Sequence, residues 1–289
     1  MIYLNNRLVP DSKAVVSVFD HGFLYGDGIY ETLRAYDGVV FKIEEHIERL
    51  FNSAALIRLD ISKTPETIIR AVNKTGKANR LSDAYIRITV SRGKGPIGLD
   101  PALCPKPTFV IIANPFHGYP AAYYKRGVNV AIVNTRRNFN KSIDPAIKSL
   151  NFLNNILAKI EAKERGAYEA IMLNYSGYIT EGTISNIFFV KNRTLYTPEV
   201  SVGILNGITR MAIIGIAKEL GIKVREGKFR PAHIYGAEEV FISNTTMEVM
   251  PVAKADDIKI GSGPGKITKA IHQEYKRKVA EYVKQQYKA

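Results

Sequence analysis

The segment from Ala84 to Ser91 alternates apolar and polar residues, which is the pattern of a β-strand with one buried face. Tyr85 and Arg87 therefore point to the same side of the predicted strand. A hydroxyl and a guanidinium on one surface can bind a carboxylate, so this pair is a candidate anion site. The alternative is the polar outer face of an edge strand.

A second feature that could do chemistry is the segment from Ile208 to Leu220, which begins after Gly207 and ends at Gly221. Its length and flanking glycines predict a helix. The first-turn amides of a helix lack intrahelical partners and lie at the positive end of the helix dipole. The start of this helix can therefore hold an anionic group such as a phosphate.

Common catalytic motifs are missing from the sequence, which has no P-loop, no HExxH, no CxxC and no GxSxG elbow. The five histidines show no metal-ligand spacing, so we expect no metal site. These observations argue against an NTPase, a metalloprotease and the common hydrolases.

The composition fits either an enzyme that handles anionic ligands or a nucleic-acid-binding protein. The chain has 289 residues, 46% of them hydrophobic, and 41 basic against 27 acidic residues give a net charge of +14. A basic surface suits both classes. Because we find no zinc-finger spacing, no RNP-type aromatic motif and no basic heptad array, we expect no nucleic-acid partner.

We expect neither membrane insertion nor export. The longest apolar stretches, such as Phe109 to Ala113, fall far short of the roughly 20 residues that a bilayer-spanning helix needs. The segment Met1 to Pro10 has polar residues where a secretory signal needs an apolar core. A single cysteine, Cys104, agrees with a reducing compartment, so we predict a cytoplasmic protein.

The elements that must position the candidate residues mix strands and helices, which predicts an α/β (α+β mixed) fold. Val15 to Phe19 is typical of a strand, and Asp37-Gly38 predicts the tight type I′ turn of a hairpin. Helical spacing of apolar residues predicts a helix over Glu44 to Arg58. Thr64-Pro65-Glu66 predicts the start of another helix.

Turn-forming residues between the two halves of the chain predict a domain boundary at Asn114-Pro115 and Gly118-Tyr119-Pro120. We expect a smaller N-terminal domain over residues 1–115, a linker over 116–126 and a larger C-terminal domain over 127–289.

Seven short segments, taken together, resemble one enzyme family. In chain order they are Asp20 to Gly28, Glu45 to Leu50, Ile147 to Asn151, Glu181 to Thr183, Ser185-Asn186, Gly207 to Arg210, and Asn244 to Thr246 with Glu248. In this order and spacing, the chain resembles the fold-type IV pyridoxal-phosphate enzymes, the group of branched-chain and D-amino-acid aminotransferases, over nearly its whole length. The resemblance implies a two-domain fold with pyridoxal 5'-phosphate in the cleft between the domains.

The resemblance assigns the central chemistry to two residues. Lys148 is similar in position to the lysine that bonds to the cofactor aldehyde and moves a proton during transfer. Glu181 resembles the carboxylate that keeps the pyridine nitrogen protonated. In isolation, Lys148 would be a surface cation before a helix and Glu181 a loop or helix-capping acid.

The cofactor phosphate needs fixed donors. The resemblance implies that the amides of Ile208 and Thr209 supply them at the helix start, together with the Arg49 guanidinium and the Thr245 hydroxyl. For Arg49, an ion pair on the helix surface remains the alternative.

Substrate carboxylates need arginine, tyrosine or turn donors. The segments Tyr85 to Arg87 and Leu33 to Tyr36 are similar to the branched-chain branch of the family, in which these positions line the substrate pocket. Six residues are the candidates for substrate binding. They are Tyr25, Tyr30, Arg34, Tyr85, Arg87 and Thr246.

Two segments depart from the branched-chain pattern. Phe152 stands where many branched-chain enzymes have a tyrosine that hydrogen-bonds the cofactor ring oxygen, and Asn244 to Met247 leans toward the form found in D-amino-acid enzymes. The prediction is therefore an aminotransferase for branched-chain L-amino acids and 2-oxoglutarate, with a D-amino-acid aminotransferase as the alternative and aminodeoxychorismate lyase as a remote one. Its partners would be amino acids and 2-oxo acids, and we expect a homodimer or a multiple of dimers.

Overall fold

The computed structural model describes residues 1–261 and 263–288, which form a mixed α/β structure of two compact units. Unit 1 comprises the described residues within 1–117, 147–152 and 281–289, and unit 2 those within 118–146 and 153–280. Each unit has its own sheet and its own hydrophobic core.

The elements of unit 1 precede residue 118. Its strands are β1 (Ile2–Leu4), β2 (Arg7–Val9), β3 (Gly28–Tyr36), β4 (Val39–Val40), β5 (Ala84–Ser91) and β6 (Thr108–Pro115), and its helices are α1 (His21–Tyr25), α2 (Ile43–Leu56) and α3 (Pro65–Ala78).

The elements that begin in unit 2 follow. Its strands are β7 (Val128–Ile132), β8 (Glu169–Leu173), β9 (Ile179–Gly182), β10 (Asn186–Lys191), β11 (Thr194–Pro198), β12 (Lys223–Gly227), β13 (Glu239–Asn244), β14 (Glu248–Ala255) and β15 (Ile258–Lys259). Its helices are α4 (Ala121–Arg126), α5 (Leu153–Glu164), α6 (Ile208–Glu219), α7 (Pro231–Tyr235) and α8 (Lys266–Gln286), the last of which ends in unit 1. Short 3-10 turns lie at Asp11–Lys13, Pro101–Leu103 and Val200–Val202.

The sheet of unit 1 is antiparallel, with strand order β2-β1-β6-β5-β3-β4. One face packs against α2 and α3, where Leu33, Ile86, Leu50 and Ile68 are fully buried. Burying this much apolar surface is the main favourable contribution to folding. The opposite face of β3 and β5 carries the polar residues of the alternating pattern.

Local sequence signals account for the elements around this sheet. Asp37 and Gly38 both have positive φ, as a type I′ turn requires. The Thr64 hydroxyl accepts a hydrogen bond from the amide of Thr67, and Pro65 occupies the first turn of α3. The helix predicted over Glu44 to Arg58 is observed as α2.

Two local expectations are corrected. Val15 to Phe19 forms no strand: apolar side chains such as Val15 are exposed there, so the segment has no sheet face to bury. The segment predicted as a linker, 116–126, contains α4, whose Tyr124 packs against the core of unit 2.

The segment 147–152 belongs to unit 1, although the sequence boundary assigned it to the second domain. Two backbone hydrogen bonds join it to β3, from Tyr30 N to Lys148 O and from Leu150 N to Gly28 O, both at 2.9 Å. This segment thus extends the first sheet from a distant part of the chain, and no local pattern signals such pairing.

Unit 2 contains nine strands, ordered β12-β11-β10-β13-β14-β7-β8-β9 with β15 beside β14. The pairs β11–β12, β14–β7 and β7–β8 are parallel and the others antiparallel. Buried residues of β10, β13 and β14, including Ile187, Ile242 and Met250, form its main core. Among the described residues, no helix combines the length and the apolar content needed to cross a bilayer.

Candidate active site

The polar face of the unit 1 sheet gathers four of the predicted substrate residues. In the antiparallel register of β3 and β5, Arg34 lies opposite Tyr85 and Tyr30 lies opposite Thr89, and opposed residues share a face. Arg87 is on this face too, with its guanidinium carbon 4.0 Å from the centroid of the Tyr30 ring. Because β5 lies between β3 and β6, the edge-strand alternative is wrong.

Lys148 lies beside this face. Its Nζ donates a hydrogen bond to the Tyr30 hydroxyl at 3.1 Å and lies 4.4 Å from the centroid of the Tyr30 ring. Its backbone amide donates to Ser53 Oγ on α2 at 3.2 Å. The predicted cofactor lysine and four predicted substrate residues therefore belong to one surface of unit 1.

Tyr25, the fifth predicted substrate residue of unit 1, lies at the end of α1 and is 37% exposed. Its hydroxyl accepts a hydrogen bond from the Gly98 amide at 3.2 Å, and its ring packs edge-on against His21. These contacts lie outside the β3 and β5 face, so its role as a substrate residue stays a prediction.

Arg49, the predicted phosphate-binding arginine, is held by a buried carboxylate. Its Nε and Nη2 donate to the two carboxylate oxygens of Glu31 at 2.7 and 2.8 Å. His46, one turn earlier on α2, donates from Nδ1 to Glu31 Oε2 at 2.9 Å. The ion pair is therefore inside unit 1 rather than on the helix surface, because Glu31 is completely buried.

The charges of this cluster depend on one another. Burial alone would raise the pKa of Glu31, but the Arg49 charge and the hydrogen bonds from His46 and Arg49 outweigh it and hold that pKa far below its usual range. Burial lowers the pKa of His46, against the opposing effect of Glu31. The physical result is an ionised Glu31 that anchors Arg49.

In unit 2, the predicted ring-nitrogen carboxylate Glu181 is also buried, at 5% exposure on β9. Arg137 Nε donates to its Oε1 at 2.9 Å, and the Leu205 amide donates to Oε2 at 3.0 Å. Asn186 Nδ2 makes a longer contact of 3.4 Å with Oε2. Three separate segments thus fix the orientation of this carboxylate.

The start of α6 has the features of an anion site. Gly207 precedes Ile208 and Thr209, both buried, and no described side chain caps the helix start. A Cβ at position 207 would lie 2.2 Å from Asn186 Oδ1, which explains why a glycine stands there. Gly207, the residue before the helix, and the Glu181 carboxylate therefore share Asn186 as a neighbour.

The turn after β13 contains Thr245, predicted to bind the cofactor phosphate, and Thr246, predicted to bind the substrate. Asn244 Oδ1 accepts hydrogen bonds from the amides of Thr246 and Met247 at 2.9 and 2.8 Å, which fixes the turn. The Thr246 hydroxyl lies 3.0 Å from the hydroxyl of Tyr119, and Thr245 is half-buried in the same turn.

Sequence comparison identifies the family. The model of the Amino-transferase class IV family matches residues 28–255. The chain belongs to the class IV aminotransferases. A Methanocaldococcus jannaschii protein whose name gives it, provisionally, as a branched-chain-amino-acid aminotransferase is 47% identical over 276 residues, covering 95% of each chain. D-alanine aminotransferase of Bacillus licheniformis is 36% identical, covering 93% of this aminotransferase and 94% of its own length.

Solved structures agree with this assignment. The branched-chain amino acid aminotransferase of Escherichia coli superimposes with a TM-score of 0.92 at 36% identity, covering 95% of this chain and 92% of that one. The branched-chain amino acid aminotransferase of Thermobaculum terrenum, solved in its PLP form, gives a TM-score of 0.86 at 29% identity, covering 96% and 93%. The expected fold, that of the fold-type IV enzymes, is confirmed.

The donor set of this aminotransferase fits the cofactor. A primary amine beside a hydroxyl, a buried carboxylate and an uncapped helix start are the groups that the aldehyde, the ring nitrogen and the phosphate need. Sequence reasoning missed Arg137, which binds Glu181, and it missed Glu31 and His46, of which Glu31 binds Arg49. No spacing rule links position 137 to 181, whereas the one-turn separation of His46 and Arg49 on a predicted helix was a usable signal.

Proposed function

We propose that this aminotransferase moves an amino group between a branched-chain L-amino acid and 2-oxoglutarate, with pyridoxal 5'-phosphate as cofactor. One observation carries the proposal: the Lys148 amine lies on the same surface as Arg34, Tyr85 and Arg87 and is hydrogen-bonded to Tyr30. This arrangement supports the proposal, because an amine can bond to the cofactor aldehyde and the neighbouring arginines can bind carboxylates. The proposal requires Lys148 and Glu181 to act on the same cofactor molecule.

The bound cofactor supplies an aldehyde that captures amines and a ring that withdraws electrons. Lys148 would hold the aldehyde carbon of the cofactor through its amine, and the same amine, when free, would be the base that takes up and returns the proton of the substrate carbon. Glu181 keeps a proton on the ring nitrogen, because an ionised carboxylate beside that nitrogen favours its cationic form. Arg137 keeps that carboxylate in place.

The phosphate would be held by the amides of Ile208 and Thr209, the Arg49 guanidinium and the Thr245 hydroxyl. Arg49 suits this role because Glu31 fixes the direction of its side chain. A phosphate dianion at the start of α6 is also favoured by the helix dipole.

The substrate carboxylates would be bound by Arg34 and Arg87 together with the hydroxyls of Tyr30 and Tyr85, with Tyr25 and Thr246 completing the pocket. Two arginines on one face suit a substrate with two carboxylates, as 2-oxoglutarate has. The face also carries Ile112, opposite Arg87 on β6, which offers an apolar surface to a branched side chain.

A D-amino-acid aminotransferase is the second candidate. The turn at Asn244 to Met247 favours it, since its sequence leans toward that branch of the family. Initial rates with L-leucine and D-alanine, each with 2-oxoglutarate, separate the two. Faster turnover of D-alanine would transfer the assignment to the second candidate.

The cofactor lysine is tested by Lys148→Ala, with Lys141→Ala as a matched control at an exposed position a few residues earlier. We expect the wild-type protein and the control to purify yellow and to retain the cofactor after borohydride reduction and denaturation. Lys148→Ala should lose both this covalent retention and transamination. Covalent retention by Lys148→Ala would show that another amine carries the cofactor.

We also propose that the enzyme is a cytoplasmic homodimer or a multiple of dimers. The single cysteine agrees with a reducing compartment. Exposed apolar side chains support self-association: Phe23 on α1 is 73% exposed, and Leu153, Ile156 and Ile160 share one exposed side of α5. Sedimentation at micromolar concentration tests this, and a purely monomeric species would contradict it.

A further inference from the structure

We infer that the Tyr30 hydroxyl is a catalytic group that donates a hydrogen bond to the cofactor ring oxygen, beside the carbon that Lys148 holds. This inference rests on the proposed function and assigns the single hydroxyl hydrogen of Tyr30 to the cofactor instead of to a substrate carboxylate. It concerns the edge of the cofactor where the covalent bond is made.

The first argument is the fixed position of the hydroxyl. Tyr30 Oη lies 3.1 Å from Lys148 Nζ, and the backbone hydrogen bonds between β3 and the segment 147–152 keep the two residues in register. The Tyr30 ring is 6% exposed. Arg87 stacks on it at 4.0 Å, and Phe152 packs against it with ring centroids 5.3 Å apart. The hydroxyl is therefore placed by packing on several sides.

The second argument is the direction of the hydrogen bonds. Lys148 Nζ is the donor to the Tyr30 oxygen, so the hydroxyl uses an acceptor site in this contact. The hydroxyl hydrogen can then be donated to another acceptor. Within the described residues, Tyr30 is the only residue whose side-chain oxygen accepts a hydrogen bond from Lys148 Nζ. Its hydroxyl is therefore in direct contact with the reacting amine.

The third argument is the chemistry of the cofactor. Its aldehyde carbon and its ring hydroxyl occupy adjacent positions on the pyridine ring, so a group bonded to the lysine nitrogen faces the same edge as the ring oxygen. That oxygen carries negative charge when deprotonated and needs a donor in a site with little water. Phe152, which packs against Tyr30, has no hydroxyl to supply one.

A measurable consequence follows for the lysine nitrogen. A donor to the ring oxygen stabilises its negative charge, so the oxygen holds a proton on the adjacent lysine nitrogen less strongly. Removing the donor should therefore raise the pH midpoint at which the visible band of the resting enzyme changes. The loss of one hydrogen bond to a charged oxygen corresponds to an upward shift of about one pH unit.

The experiment titrates the visible absorption of the resting holoenzyme, without turnover, for the wild type, Tyr30→Phe and Tyr85→Phe. We expect the midpoint to rise by about one pH unit in Tyr30→Phe. The matched control Tyr85→Phe removes a hydroxyl from the same sheet face and should raise KM without moving the midpoint. An unmoved midpoint in Tyr30→Phe with a raised KM would mean that Tyr30 binds substrate only, which overturns the inference.

A rescue variant tests the position of the donor. In Tyr30→Phe/Phe152→Tyr, a hydroxyl returns to the neighbouring ring, and we expect the midpoint to move back toward the wild-type value. A double variant that folds and binds cofactor but keeps the raised midpoint would contradict donation to the ring oxygen. Phe152→Tyr alone should lower the midpoint, which keeps the inference testable if Tyr30→Phe is unstable; a raised or unchanged midpoint would count against it. A wild-type protein without a borohydride-sensitive visible band would instead refute the proposed function itself.

Discussion

Glu31 in unit 1 and Glu181 in unit 2 are both buried carboxylates that accept a hydrogen bond from an arginine Nε, at 2.7 and 2.9 Å. Their other partners differ. The side-chain partners of Glu31 are His46 and Arg49, which lie one turn apart on the single helix α2, and a third donor is the amide of Thr32, the next residue of its own strand. Glu181 is bound by Arg137, by Asn186 on β10 and by the backbone before α6, which are three separate segments.

The difference shows that one kind of interaction, a buried carboxylate paired with an arginine, can have two uses. A carboxylate whose side-chain partners come from one helix attaches that helix to the sheet, so its main effect is on stability and it acts on a ligand only through Arg49. A carboxylate held by several segments has a fixed position and orientation, which a group that must meet a ligand atom requires. Burial and an arginine partner alone therefore do not distinguish a structural acid from a functional one.

Glu181→Gln should produce the largest effect and sharpen this contrast. A neutral amide cannot hold the ring nitrogen in its cationic form, so kcat should fall by about 10²- to 10⁴-fold at saturating cofactor. Asp at this position shortens the side chain but keeps the charge, so Glu181→Asp should retain more activity than Glu181→Gln. Equal kcat for the wild type and Glu181→Gln in a steady-state assay would remove Glu181 from the catalytic groups.

Glu31→Gln should mainly lower stability. It leaves Arg49, whose side chain is only 13% exposed, without its anion, so the free energy of unfolding should fall by about 3–5 kcal/mol in urea denaturation. Glu45→Gln is the matched control on the same helix: Glu45 is partly exposed and pairs with Lys42, so its loss should cost less than about 1 kcal/mol. If both variants had the same unfolding free energy, the structural role of Glu31 would be wrong.

Sequence reasoning succeeded where one segment contains the whole signal. The Asp37-Gly38 turn, the Thr64-Pro65 helix start and the alternation from Ala84 to Ser91 are all observed. Each depends on backbone preferences or on side-chain period within a few residues. The same alternation placed Tyr85 and Arg87 on one face before their strand partners were known.

It failed where distant segments meet. Nothing near Lys148 indicates that its backbone pairs with β3, because such pairing depends on the tertiary arrangement of residues over a hundred positions apart. The contact of Arg137 with Glu181 has the same origin. The strand expected at Val15 to Phe19 had suitable residues but no neighbouring strand, and apolar residues without a partner strand remain exposed.

The pH dependence of stability should report on the Glu31 cluster. Burial lowers the pKa of folded His46 below the 6.5 of the unfolded chain, so below pH 6.5 the unfolded state binds the proton more readily. Stability should therefore fall as pH drops below 6.5, by at most about 1.4 kcal/mol per pH unit from this group. Protonation of Glu31 lowers the stability only in more acidic solution, because the pKa of this carboxyl in the folded protein is far below its usual range.

His46→Asn tests this origin, since an amide can donate to Glu31 without titrating. The slope of unfolding free energy between pH 6.5 and 5.5 should become flatter than in the wild type. His117→Asn, at an exposed position of the same unit, should leave the slope unchanged. A wild-type slope in His46→Asn would assign the pH effect to other groups.

The smallest expected effects come from two glycines, one just before α6 and one within it, and they test whether the start of this helix has a fixed position. A methyl group at position 207 would meet Oδ1 of Asn186, a residue that also contacts Glu181. Among the described residues, no atom other than those of the adjacent residues and the nearby backbone of α6 lies within 4 Å of a Cβ at 215. Gly207→Ala should therefore cost about 1–3 kcal/mol and weaken cofactor binding in a titration of the apoprotein. Gly215→Ala, in the middle of the helix, should stabilise the fold by about 0.5–1 kcal/mol and leave cofactor affinity unchanged. Equal cofactor affinities in the two variants would mean that the start of α6 tolerates displacement, and it would then be a poor candidate for a fixed phosphate site.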